Sequence, residues 1–166
     1  MLSLEASKLL IVEGVEDEPR MRARVKRLRP GVLTDDVRRV SDAELAAIVK
    51  SEPTRLPHHG MQADFKPAVI FNRFRFDDDE AERKRRTEAF PDLNRHKFNG
   101  YGGFDWRDSG SKKYREATGL VCQPAWQLHT IVGCHFRCAY CSLGWSLNVM
   151  MNMEDFVGRL DGWIEQ

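Results

Sequence analysis

The feature that most constrains this chain is a three-cysteine loop close to its last residue. Cys134, Cys138 and Cys141 follow the spacing C-x3-C-x2-C, and the aromatic Tyr140 stands just before the third cysteine. Thiolates are soft ligands that suit iron–sulfur clusters or zinc. Three of them on one short loop can hold three corners of a cubane cluster and leave the fourth iron without a protein ligand. Such an iron can bind a substrate as well as pass electrons.

Zinc is the alternative occupant of this loop, because Cys122 adds a fourth cysteine and extends the pattern to C-x11-C-x3-C-x2-C. Zinc sites usually present two separate pairs of ligands, whereas this chain has one compact triple. The spacing therefore favours a cluster over zinc. A disulfide framework is disfavoured, because Met1–Val12 lacks the basic start and cleavage site of a signal peptide. We expect a cytoplasmic, reducing environment, where clustered cysteines indicate metal binding or catalysis.

The C-x3-C-x-aromatic-C pattern resembles the signature of the radical S-adenosylmethionine (radical SAM) superfamily. The resemblance implies that Cys134, Cys138 and Cys141 ligate a 4Fe–4S cluster whose open iron chelates S-adenosylmethionine. It places Tyr140 near the adenine of that cofactor. It also implies an enzyme that cleaves S-adenosylmethionine reductively to a 5′-deoxyadenosyl radical, with an electron donor such as flavodoxin or ferredoxin as partner.

The surroundings of the loop resemble the spore photoproduct lyase family of DNA repair enzymes. The segment Asn148–Phe156 is similar to the asparagine-acid segment that opens the first helix in that family, and Ile11-Val12-Glu13 is similar to its early apolar strand. The resemblance implies a lyase with DNA as a candidate partner. The hydrogen-donor cysteine of the family lies downstream of the motif, but no cysteine follows Cys141. We do not transfer that role to Cys122, so no catalytic residue is assigned.

Two alternatives to the DNA repair lyase remain open. A radical SAM enzyme acting on a peptide or small molecule would use the same cysteine motif. A zinc-binding module without enzymatic activity would use the three cysteines together with Cys122.

Chain length sets the expected fold. The chain has 166 residues, and only 32 follow Cys134, whereas a (β/α)8 barrel needs about 200 or more. We therefore expect an α/β protein that is the N-terminal part of a longer one. Residues 1–120 would form a small N-terminal α/β domain with an irregular connector at about 89–120. Residues 121–166 would form the start of a truncated radical SAM partial TIM barrel: a strand, the cysteine loop and the first helix.

Local patterns predict the elements of this architecture. The first 50 residues alternate strand, helix, strand and helix, which indicates a parallel pair of strands. Ser41 and Glu44 have the spacing of a capping box at the start of the second helix. The predicted elements are strand Lys8–Glu13, a helix from Asp17 to about Leu28, strand Val37–Val40, a helix behind Ser41, strand Pro67–Phe76, helix Asp77–Glu88, strand Trp126–Val132 and a helix from about Asn152.

Charge and hydropathy exclude some classes of protein. No apolar run approaches the roughly 20 residues of a membrane span, so we expect no membrane partner. The net charge of +1 does not indicate a nucleic-acid binder, although a local groove can still be basic. Arg73 and Arg75 are the leading candidates for such a groove, together with the basic residues scattered among the aromatics of 90–119.

Overall fold

The structure is a computed structural model that describes residues 3–51, 66–101, 104–107, 112–119, 125–134 and 145–164. The α-helices in these ranges are α1 Pro19–Leu28, α2 Asp42–Ser51, α3 Glu80–Ala89, α4 Lys112–Thr118 and α5 Met153–Ile164. Two 3₁₀ helices cover Arg29–Gly31 and Pro91–Lys97. The strands are β1 Leu4–Glu5, β2 Lys8–Val12, β3 Val32–Leu33, β4 Val37–Val40, β5 Ala68–Asn72, β6 Phe104–Arg107, β7 Ala125–Leu128, β8 Ile131–Gly133 and β9 Ser146–Met150.

A five-stranded sheet with the order β4-β2-β5-β9-β8 organises the chain. Strands β4, β2, β5 and β9 are parallel, and β8 runs antiparallel to β9 at the edge. The mixed α/β class and the parallel pair near the N-terminus are therefore confirmed. Two further pairs stand outside this sheet: β1 with β3 in parallel, and β6 with β7 in antiparallel arrangement.

Helices α1 and α2 each begin directly after a capping side chain, and α1 begins two residues later than predicted. Glu18 caps α1, because its carboxylate accepts hydrogen bonds from the backbone N–H groups of Arg20 and Met21, both at 3.1 Å. At α2 the Ser41 hydroxyl accepts from the Glu44 N–H at 3.3 Å, and the Glu44 carboxylate accepts from the Ser41 N–H at 2.8 Å. This reciprocal pair is the capping box expected from the sequence.

Strands β2 and β5 form the centre of the hydrophobic core. All five residues of β5 are buried, and four of the five residues of β2 are buried. A parallel strand that is covered on both faces reads as a continuous apolar run. Connections between parallel strands of one sheet are right-handed. The connection β2–α1–β4 and the connection β4–α2–β5 run in opposite directions across the sheet. Helices α1 and α2 therefore lie on opposite faces of the sheet.

The cysteine-bearing end of the chain is arranged differently from its prediction. The expected strand Trp126–Val132 is two strands, β7 and β8, which belong to different sheets. The prediction placed the helix directly after the cysteine loop. In the structure a further strand, β9, precedes α5. Strand β9 pairs with β5 over its whole length, so this segment shares one sheet with the N-terminal strands.

The connection between β5 and β7 is more regular than predicted. The expected strand Pro67–Phe76 ends at Asn72, and the expected irregular stretch 90–119 contains a 3₁₀ helix, β6 and α4. Helix α3 begins at Glu80, later than predicted, because the Asp79 carboxylate caps it by accepting from the Glu82 N–H at 2.7 Å. Among the helices that the structure describes, none has the length and apolar character needed to span a bilayer.

Asn152 joins the chain beyond β5 to the start of α5. Its side-chain oxygen accepts from the Phe74 N–H at 2.7 Å, and its amide nitrogen donates to the Phe74 carbonyl at 2.9 Å. Asn152 is buried, so these bonds satisfy backbone groups that water does not reach. The pair continues the β5–β9 contact past the point where both strands end.

We predict that Asn152→Ala lowers the free energy of unfolding by about 2–4 kcal/mol, because it leaves two buried backbone groups of Phe74 without partners. Urea denaturation measures this change. Asp161→Ala, at an exposed position of the same helix, is the control and should stay within about 0.5 kcal/mol of wild type. Equal effects of the two variants would contradict a structural role for Asn152.

Candidate functional site

Cys134 directly follows β8 at the edge of the five-stranded sheet. Its backbone N–H donates to the Ser146 carbonyl at 3.2 Å, so the cysteine lies beside the first residue of β9. Cys134 is half-buried and is not in a disulfide bond. The loop that carries the motif is therefore the connection of a β-hairpin, closed by β8 on one side and β9 on the other.

Gly133 allows the close approach of these two strands. Its φ angle is +118°, a conformation that favours glycine, and a Cβ atom at this position would overlap the Ser146 carbonyl oxygen. No side chain larger than hydrogen fits there unless the strands move apart. Glycine is thus required immediately before the first cysteine, a role that the sequence motif did not reveal.

The remaining residues of the motif lie outside the described part of the chain. Cys138, Cys141 and Tyr140 fall within 135–144, and Cys122 falls within 120–124. Among the described residues no group of three His, Cys, Asp or Glu side chains could hold a metal ion. The donor set that the loop offers is three thiols, and thiolates are the ligands of iron–sulfur clusters. The loop residues therefore fit a cluster by the chemistry of their donors.

The hairpin places Cys134 at the amino edge of the parallel strands. Ser146 pairs with Ala68, and Ala68 pairs with Lys8, and these are the first residues of β9, β5 and β2. Cys134 does follow the end of a strand, as predicted, but that strand, β8, is antiparallel to β9. Open α/β sheets usually bind their ligands at the carboxyl ends of the strands. The first cysteine thus lies at the opposite edge.

The carboxyl edge of the sheet carries a cluster of arginines around Asp42, which we call the Asp42 cluster (Asp42, Arg75 and Arg86). Arg86 binds Asp42 with two hydrogen bonds, Nε to Oδ2 at 2.5 Å and Nη2 to Oδ1 at 2.7 Å. Arg75 reaches the same carboxylate, with Nη2 3.4 Å from Oδ1. The exposed fractions of the side chains are 5% for Arg86, 12% for Arg75 and 21% for Asp42, so these charges are largely removed from water.

Charge within this cluster is not balanced. Burial alone would raise the pKa of Asp42, but the hydrogen bonds and charge of Arg86, with the further charges of Arg75 and Arg73, lower it below its usual value. Burial lowers the pKa of Arg75, and the like charge of Arg86 lowers it further. The carboxylate of Asp42 therefore pairs with two guanidinium groups, those of Arg75 and Arg86.

Tyr101 holds the outer side of the cluster. The Cζ atom of Arg86 lies 5.4 Å from the centre of the Tyr101 ring, and that of Arg83 lies at 5.6 Å. The Tyr101 hydroxyl donates to the Asp78 carboxylate. Stacking of this kind stabilises a buried guanidinium without neutralising it.

Arg73 and Arg75, the predicted basic-groove residues, both lie at this carboxyl edge, directly beyond β5. Asp42 and Arg86 were not predicted to join them. They reach the cluster from α2 and α3, and only the packing of these two helices in the folded chain brings them together. Comparison of the chain with family models, with curated proteins and with solved structures finds no match.

We predict that Gly133→Ala destabilises the hairpin by about 2–4 kcal/mol, because the new methyl group meets the Ser146 carbonyl. Gly119→Ala is the matched control, because Gly119 also has a positive φ, +68°, but no atom of the described residues lies within 4 Å of the place its Cβ would take. Gly119→Ala should lower the free energy of unfolding by only about 1 kcal/mol, the cost of a positive φ for a residue with a Cβ atom. Thermal unfolding of both variants separates steric clash from backbone strain, and equal losses would contradict the close approach.

We predict that Asp42→Asn lowers stability by about 2 kcal/mol at pH 7, because it leaves Arg75 and Arg86 without their carboxylate. The folded-state pKa of Asp42 is depressed, so its contribution is present above the usual value near 3.8 and is lost as pH falls through the folded pKa. The difference between wild type and variant should therefore shrink below about pH 4.

Urea denaturation at several pH values measures this dependence. Asp36→Asn is the control, because Asp36 makes a similar two-bond pair with Arg38 that is far more exposed. Its effect on stability should be small at every pH. An Asp42→Asn difference that does not change between pH 7 and pH 3 would contradict the assignment.

Proposed function

We propose that this chain belongs to a radical SAM enzyme whose 4Fe–4S cluster is held by Cys134, Cys138 and Cys141. The observation that carries the proposal is the compact triple of cysteines with an aromatic residue, Tyr140, before the last one. The three thiols leave one iron of a cubane cluster open for a substrate. When bound, the cluster would supply the electron that cleaves S-adenosylmethionine to methionine and a 5′-deoxyadenosyl radical.

The described part of the hairpin supports this role for Cys134. Strands β8 and β9 form a paired frame on either side of the loop, and the Cys134 backbone is itself tied to Ser146. Sites that stand on paired strands hold their side chains more closely than free loops do. Gly133 lets the chain pass close to β9, so Cys134 lies at the edge of the sheet.

The finer parts of the proposal depend on the resemblance alone. These are the partial TIM barrel, the role of Tyr140 beside the adenine, and a flavodoxin or ferredoxin as electron donor. A cytoplasmic location, proposed from the lack of a signal peptide, agrees with them. We propose a DNA repair lyase similar to spore photoproduct lyase as the activity, with DNA as the partner. Arg73 and Arg75 lie beyond the sheet edge opposite to Cys134. The four steps of β5 from Ala68 to Asn72, about 3.3 Å each, already separate the two edges by about 13 Å.

We predict that the anaerobically reconstituted protein binds close to four irons per chain. After reduction with dithionite, its electron paramagnetic resonance spectrum should change when S-adenosylmethionine is added, because that molecule binds the open iron. Iron and zinc analysis accompanies the spectrum. Stoichiometric zinc with little iron would overturn the cluster and support a zinc module instead.

Cysteine variants make this test specific. Cys134→Ala, Cys138→Ala and Cys141→Ala should each lose most of the iron, whereas Cys122→Ala should retain it. A zinc module built from all four cysteines predicts the opposite for the last variant, because removal of Cys122 would then weaken metal binding as much as removal of any other ligand.

A further inference from the structure

The crevice above the carboxyl ends of β2 and β5 lies at a topological switch point. Strand β2 continues through α1 to β4 on one side, whereas β5 continues to β9 on the other side. The chain therefore leaves these two neighbouring strands in opposite directions. In open α/β sheets the connections diverge at such a point and leave a crevice in which ligands bind.

Gly14 and Arg73 face each other in this crevice. Gly14 lies in the connection after β2 with a φ of +85°, and a Cβ built there would be 3.2 Å from the Arg73 Nε atom. Any side chain larger than hydrogen would thus press on the guanidinium. The glycine leaves the Arg73 head group room over the end of β2.

The guanidinium of Arg73 forms no direct ion pair among the described residues, although its charge acts on Asp42 from a longer distance. Its backbone N–H donates to the Asn72 side chain, but its guanidinium makes no hydrogen bond or ion pair with any residue that the structure describes. The Nε atoms of Arg73 and Arg75 are both buried and have no acceptor in the described part of the chain. Buried donors without acceptors and buried charges without partners cost stability.

Three nearby carboxylates are bonded to other groups and do not accept from the Arg73 guanidinium. Asp42 is occupied by the two bonds from Arg86 and is shared with Arg75, and Asp78 accepts from Tyr101. Glu16 pairs with Arg39, at 2.6 Å. Three arginines, Arg73 with Arg75 and Arg86, thus lie at this edge, and in the described part of the chain two of them share the carboxylate of Asp42. An oxyanion in the crevice would supply the missing acceptors and the missing negative charge.

A neighbouring cleft bears on the size of that anion. A cleft of about 270 Å³ adjoins Gly14 and is lined by Glu13, Glu16 and Asp17 as well as by Arg39. This acidic rim would repel an extended polyanion such as a nucleic acid strand. A small anion that carries its charge on one group would not have to extend along these acids, because Arg73 and Arg75 are not among the residues that line the cleft.

We propose that this crevice binds a phosphate group, as inorganic phosphate or as the phosphate of a small monoester, with Arg73 and Arg75 as its donors. Guanidinium groups match the oxygens of phosphate with paired hydrogen bonds, and each such bond is charge-assisted. The site is independent of the cysteine loop, because it lies at the other edge of the sheet and needs neither iron nor S-adenosylmethionine.

Calorimetric titration of the full chain tests the proposal, with inorganic phosphate and adenosine monophosphate as ligands at constant ionic strength. Binding of both ligands indicates recognition of phosphate alone, and much tighter binding of the monophosphate indicates a phosphorylated small molecule. Arg73→Gln should weaken binding at least about tenfold, the loss expected for a charge-assisted hydrogen bond. Arg73→Lys should fall between wild type and Arg73→Gln, because it keeps the charge and loses the fork.

Controls separate this site from general attraction to a basic surface. Arg38→Gln removes an exposed arginine that pairs with Asp36, and it should leave phosphate binding unchanged. Arg73→Gln should also be at least as stable as wild type without phosphate, because it removes a buried donor without an acceptor and breaks no guanidinium bond to a described residue. The proposal is overturned if neither ligand binds, if Arg73→Gln binds phosphate as tightly as wild type, or if only an oligonucleotide binds.

Discussion

The pairing of β9 with β5 is the contact on which the rest of this structure depends. It brings the segment after the cysteine loop into the sheet built by the first part of the chain, and Asn152 extends it beyond the ends of both strands. Because β5 is buried on both faces, the position of β9 is set by the main core. The core therefore also fixes the position of the hairpin that carries Cys134.

This arrangement separates two chemically different edges of one sheet. The amino edge carries Cys134 beside the first residue of β9, in a position that requires Gly133. The carboxyl edge carries arginines gathered around Asp42. A soft thiol and hard guanidinium groups suit different ligands, and the length of the strands keeps them apart. The proposed cluster and the proposed phosphate site can therefore be tested without affecting one another.

Much of the architecture was predictable because its causes are local. The capping box at Ser41 and the apolar run of β2 act over a few residues, and their predictions are confirmed. The break between β7 and β8 was not predictable, because each half finds its partner in a different sheet. Strand β9 was also missed, because its buried Asn148 does not read as a core residue in a sequence.

By itself the sequence determined the donor set of the cysteine loop, since spacing and residue type are properties of the chain alone. It also determined the parallel α/β character of the first 50 residues, because strand and helix patterns alternate there. Only the tertiary structure decided which edge of the sheet receives Cys134 and which arginines surround Asp42. Those outcomes depend on strand order and on helices that cross the sheet, and residues from distant parts of the chain meet only after these elements have packed.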